Sequence, residues 1–332
     1  MSPCYRPWPR RATRFAVARF LSVLLAFHPG AFFLTAQPRC VHRLEIPDLY
    51  PEGIAVDPGT GRTFLSSLLH GGILAVAQNG RARWFIPPGP EGPWRTLGLQ
   101  VDHRRGLLWM ASNGGTEQEP GDSAVFAADL RSGRILRRIP APREGAHLLN
   151  DLALMADGTV YVTDSRAGTV HRIAQGSSRM EPLLPAGTLR YPNGIVATRD
   201  QKALLVAAGG AGLYRIERQG GAAHPVAIPP SLEPEAFQGI DGLARRGDRL
   251  VAVQNGREPP RIVAFRLDPS ETELKELDVL LSNHPALAGI PTTGAWTGRN
   301  FRFIANSQIL GLKTEPRKPS EPFLVMEIQA TP

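Results

Sequence analysis

The chain has 332 residues, 42% of them apolar and 20% charged, which excludes an intrinsically disordered protein and leaves room for two ordinary domains or one large repeat fold. The formal charge of +8 falls to +3 without Arg6, Arg10, Arg11, Arg14 and Arg19, and no dense Lys/Arg stripe remains elsewhere, so no nucleic-acid partner is expected. Two cysteines, Cys4 and Cys40, are too few for a cysteine-based zinc or iron–sulfur site.

Residues 1–36 hold those five arginines and no acid, followed by Phe20-Leu21-Ser22-Val23-Leu24-Leu25-Ala26-Phe27 and a small-residue stop at Leu34-Thr35-Ala36. This is the pattern of an export signal, with an uncleaved N-terminal membrane anchor as the alternative. His28-Pro29-Gly30 interrupts the apolar run and disfavours a spanning helix. A periplasmic or secreted location is therefore expected, with residues 37–332 as one domain.

The domain reads as short strands separated by turn sequences. The first unit predicts strands at 54–56, 62–66, 73–76 and 82–86, punctuated by Asp57-Pro58-Gly59-Thr60-Gly61, His70-Gly71-Gly72 and Gln78-Asn79-Gly80. Six phrases open such units: Glu52-Gly53, Leu97-Gly98, Asn150-Asp151, Asn193-Gly194, Asp241-Gly242 and Thr293-Gly294. Their spacing of roughly 40–50 residues, with several strands per unit, predicts an all-β, six-bladed β-propeller of low helix content. The sixth unit runs out of chain before a fourth strand, and Val41-His42-Arg43-Leu44-Glu45-Ile46 is available to supply it. An N-terminal strand closing the last blade leaves no unpaired edge.

The residue before the repeated glycine position would face one mouth of the ring in every blade. Glu52, Asn150, Asn193 and Asp241 place carboxylate and amide oxygens there, while Leu97 and Thr293 stand in the other two copies. Oxygen donors without histidine suit Ca²⁺, or another hard divalent cation, rather than zinc.

Pro51-Glu52-Gly53, Asn150-Asp151, Tyr191-Pro192-Asn193-Gly194-Ile195 and Ile240-Asp241-Gly242-Leu243 resemble the motifs of the regucalcin/gluconolactonase (senescence marker protein) superfamily, over roughly residues 41–330. The resemblance implies a calcium-dependent six-bladed propeller that often acts as a lactonase. Glu52, Asn193 and Asp241 match the family's metal ligands, and Asn150 matches a residue touching substrate or metal-bound water. Sugar lactonases of this family carry an Arg two residues before that Asn and a Gly after the Asn-Asp pair. Leu148 and Leu152 stand at those positions here, which directs the expectation to a more apolar lactone or ester.

The chemistry expected is hydrolysis assisted by the cation, with Asp241, Asp151 and His147 as candidate catalytic groups and Asn150 contacting substrate. A monomer acting on a small molecule is expected. The alternative is a non-catalytic propeller whose structural cation supports binding of a small ligand or a protein. No nucleophile elbow, P-loop or zincin helix occurs in the sequence.

Overall fold

The computed structural model describes residues 37–115, 120–314 and 321–330. The segment 1–36 lies outside the described residues. Six four-stranded antiparallel sheets form six blades. Their innermost strands are Ile54–Val56, Arg95–Asp102, Leu149–Leu154, Pro192–Ala197, Ile240–Arg246 and Gly294–Thr297. These neighbour one another in sequence order, and the sixth returns to the first. Among the described residues the only helical segments are the 3-10 turns Pro285–Leu287 and Ile309–Lys313.

The last blade is closed from the N-terminus, as expected. Its outer strand is Arg39–Leu44, paired antiparallel with Phe323–Gln329 from Arg39 opposite Glu327 to Leu44 opposite Phe323. Glu327 ties this closure together: Arg39 donates to it across 2.5 Å, and Arg302 from the second strand across 2.8 Å. Arg302 also reaches Thr63 Oγ1 of the first blade at 2.7 Å, so one guanidinium joins the sixth blade to the first.

Apolar packing lies between blades rather than at the centre. Each of six clusters joins two neighbouring blades, and the one between the sixth and first also takes in Leu97 of the second. Because side chains alternate along a strand, one strand feeds two interfaces. In Ala203–Ala208, Leu204 and Val206 pack towards the third blade, whereas Leu205 and Ala207 pack towards the fifth. Both faces are thus buried, which is why this strand reads as an unbroken apolar run rather than an alternating one. Emptying such a position, as in Leu204→Ala, costs about 2–5 kcal/mol.

Candidate functional site

The repeated phrase is a structural device as well as a ligand position. Leu149 pairs with Asp164 and Leu152 with Val162, leaving Asn150 and Asp151 together opposite Thr163. This two-against-one register is a β-bulge, and the same shift spans Leu97-Gly98, Asn193-Gly194 and Asp241-Gly242. A bulge interrupts side-chain alternation and re-aims the residue it carries. Hydroxyls take up amides that the ladder leaves over: Asp151 N donates to Thr163 Oγ1 at 3.0 Å and Gly53 N to Ser66 Oγ at 2.6 Å.

The glycine of the phrase is required by the neighbouring blade. A Cβ at Gly98 would stand 2.5 Å from Asn150 O and 2.7 Å from Asp151 Oδ1. At Gly53 it would stand 1.9 Å from Leu97 O. Each glycine therefore admits the entry residues of the next inner strand.

Polar side chains from consecutive blades meet at this mouth. Asn150 Nδ2 donates to Ser165 Oγ at 2.9 Å, and Ser165 Oγ donates to Pro192 O at 2.6 Å. Asn193 Nδ2 donates to Asp241 Oδ1 at 2.5 Å. Asn255 Nδ2 donates to Asp241 Oδ2 and, at 2.8 Å, to Pro291 O. Thr292 Oγ1 donates to Glu52 O at 2.8 Å. The belt thus runs from the third blade to the first.

Two acceptor atoms in the belt have no donor. Glu52 Oε2 and Asn150 Oδ1 are buried and unpartnered. Burial holds the Glu52 carboxyl well above its ordinary range, and the charges of Asp241 and Asp151 push it further. Burial likewise lifts Asp241 to about 7, against the hydrogen bonds from Asn255 and Asn193. Asp151 is also raised to about 7 by burial, although the backbone amides of Leu152 and Ile195 oppose this. The Asp241 charge thus acts on both Glu52 and Asp151, and these buried carboxyls with the two orphaned oxygens make an all-oxygen set of the kind a hard cation takes.

Asn193 and Asp241 are thus in direct contact, Glu52 and Asp151 both feel the Asp241 charge, and Asn150 is joined to the fourth blade through Ser165. His147 is engaged elsewhere: its Nδ1 lies 2.5 Å from Asp164 Oδ2, and its Nε2 lies 3.0 Å from Pro142 O. Asn255 lies outside the repeated phrase. Its signal is the Gln254-Asn255-Gly256 end of a second strand, the place Ser165 occupies in the third blade.

Below the belt an axial channel of ≈ 390 Å³ is lined by the inner strands of all six blades. Its wall is about evenly polar and apolar, with Ala55, Ala153 and Val196 beside Gln100, Asp151 and Arg245. Leu148 packs on the apolar cluster that holds Leu97, Tyr50 and Leu68, so one flank near the mouth is apolar.

No protein-family model and no curated protein sequence matches the chain. Solved structures do. A gluconolactonase from Xanthomonas campestris is 17% identical with a TM-score of 0.59, covering 88% of this chain and 94% of that one. The major allergen of Malassezia sympodialis reaches a TM-score of 0.69 at 12% identity, covering 86% and 95%. The chain has the six-bladed fold of the gluconolactonases. Virginiamycin B lyase from Staphylococcus aureus, solved with quinupristin, shares this gluconolactonase-like fold at 15% identity and a TM-score of 0.56, covering 88% and 99%. A hydrolase and a lyase on one fold leave the reaction to the site residues.

Proposed function

We propose that the protein is an exported, divalent-cation-dependent hydrolase of the lactonase type, acting on an apolar lactone or small ester. The observation that carries this reading is the buried, unpartnered Glu52 Oε2, on which the Asp241 and Asp151 charges act, with Asn150 Oδ1 unpartnered in the same belt. Among the described residues no Lys or Arg acts on these three carboxyls, which supports a cation there. Glu52, Asn150, Asn193 and Asp241 would hold it. A bound Ca²⁺ would supply Lewis-acid polarisation of the scissile carbonyl.

The remaining work falls to the chain's own groups. Asp151, poised at about 7 by burial and fixed through the Leu152 and Ile195 amides, accepts a proton from the attacking water near neutral pH. Asp241 is held on both oxygens by Asn193 and Asn255, which fixes its orientation at the mouth. The flank built around Leu97 and Leu148 offers no guanidinium for sugar hydroxyls and favours an alkyl substituent. The basic and apolar composition of residues 1–36 supports export.

The test is hydrolysis of a panel of aliphatic and sugar lactones and aryl esters, with Ca²⁺ and with chelator. Calcium-dependent turnover of aliphatic substrates, lost in Asp151→Asn with calcium binding retained, is expected. Calcium binding without turnover of any substrate would replace the hydrolase with a binding propeller.

A further inference from the structure

The third blade buries a second cluster of ligating side chains, apart from the axial belt. His147 comes from the loop before Leu149–Leu154, Asp164 ends Val160–Asp164, and His171 lies on Thr169–Ile173. One ligand atom from each lies within 4.8 Å of the other two. His147 Nδ1 stands 2.5 Å, and His171 Nε2 3.1 Å, from the same oxygen, Asp164 Oδ2. Side-chain exposure is 10% for His147, 0% for Asp164 and 3% for His171.

Proton accounting at His147 calls for a positive centre in this gap. Its Nε2 lies 3.0 Å from Pro142 O and 3.1 Å from Glu144 O. Both are pure acceptors, so Nε2 carries the hydrogen. In neutral imidazole Nδ1 is then a lone pair, and it faces a carboxylate oxygen at 2.5 Å. At 2.5 Å a proton on Nδ1 removes that repulsion; Zn²⁺ bonded to both atoms at about 2.0–2.1 Å holds them roughly 3.3 Å apart, so metal uptake opens this contact by somewhat under 1 Å.

Once the pair opens, the surroundings suit an ion. A histidine that ligates through one nitrogen commonly donates its other N–H to a backbone carbonyl, as His147 Nε2 does here. The second oxygen of a ligating carboxylate is commonly hydrogen-bonded too. Asp164 Oδ1 accepts from Leu148 N at 3.0 Å and Ala167 N at 3.1 Å. Two imidazoles and one carboxylate match Zn²⁺ and similar borderline ions, in contrast to the all-oxygen set at the axis.

We propose that His147, Asp164 and His171 form a Zn²⁺ site within the third blade. The ion joins the loop before the inner strand to the next two strands, and so fixes the entry of the segment bearing Asn150 and Asp151. On binding, the proton of imidazolium Nδ1 leaves His147 for solvent, and His171 ligates through Nε2 with its own proton on Nδ1, a buried atom without a protein partner. Metal uptake therefore releases a proton and weakens in acid.

The test is calorimetric titration of chelator-stripped protein with Zn²⁺ alone, beside the axial double variant Glu52→Gln/Asp241→Asn. Both bind one Zn²⁺ per chain, and His171→Ala weakens binding by more than the roughly 100-fold that loss of an outer partner gives. Absence of Zn²⁺ binding in the stripped wild type, or equal binding in a folded His171→Ala, overturns the site. Ring-nitrogen NMR of the wild type needs no variant. Zn²⁺ shifts the signals of both His147 Nδ1 and His171 Nε2, whereas a His147 that stays a full imidazolium in excess Zn²⁺ assigns the gap to a proton and overturns the proposal.

Discussion

Asn193 donates its side-chain amide to Asp241 Oδ1 across 2.5 Å, joining the fourth blade to the fifth at the axial mouth. Asn255 donates to the other oxygen of the same carboxylate. Both bonds favour the ionised form and partly offset the burial that lifts Asp241 to about 7.

Removing one donor shifts that balance in a known direction. Asn255→Ala should raise the Asp241 pKa further and move the acidic limb of the calcium-affinity profile to higher pH. Weaker calcium binding with an unmoved limb would show that Asn255 does not act through Asp241.

The carboxyl cluster also sets how cation-free protein responds to pH. Asp151 and Asp241 are raised from 3.8 to about 7, so between these values the folded chain holds protons that the unfolded chain has released. Stability then falls as pH rises across that window. In chelator, Tm should fall from about pH 4 to pH 7 through this contribution. Calcium should restore it most at pH 7 and above, and least near pH 4. A calcium-induced rise in Tm that is constant across this range would refute the coupling.

Close approach between blades makes the repeated glycine indispensable. Gly98→Ala should destabilise by about 1–3 kcal/mol, because its Cβ meets Asn150 O and Asp151 Oδ1, and should also weaken calcium binding. Gly89→Ala, where a Cβ meets nothing within 4 Å, is the control and should stay within about 0.5 kcal/mol of wild type. Denaturant unfolding of the two variants separates them.

The closing strand should be acid-sensitive. Burial lowers His42 from 6.5 to about 4, and both ring nitrogens lack partners. Between those values the unfolded chain binds the proton first, so stability is lost as pH falls. The linked loss is at most about 3 kcal/mol by pH 4. His42→Leu should flatten the Tm profile between pH 6.5 and 4; an unchanged profile would remove His42 as its cause.

Much of the architecture was legible in the chain. The spacing of Gly53, Gly98, Asp151, Gly194, Gly242 and Gly294 predicted six blades, and the strand missing after Ile328 predicted closure by the N-terminus. Glu52, Asn150, Asn193 and Asp241 were found because each occupies the same place in its repeat, and local order along the chain records that.

Other features depend on contacts between segments far apart in sequence. His147 stands three residues before Asn150, yet both its ring nitrogens are committed to Asp164 and to backbone carbonyls. Asn255 acts on Asp241 from the far end of a second strand, and Gly98 is glycine because Asn150 and Asp151 of the next blade press against it. The sequence by itself determined how many blades form and which oxygen-bearing side chains line one mouth, since repetition is a local property. Only the tertiary structure decided how those side chains are aimed and which of their atoms lack a donor. Bulge geometry, burial and hydrogen bonding exist only once neighbouring blades have packed.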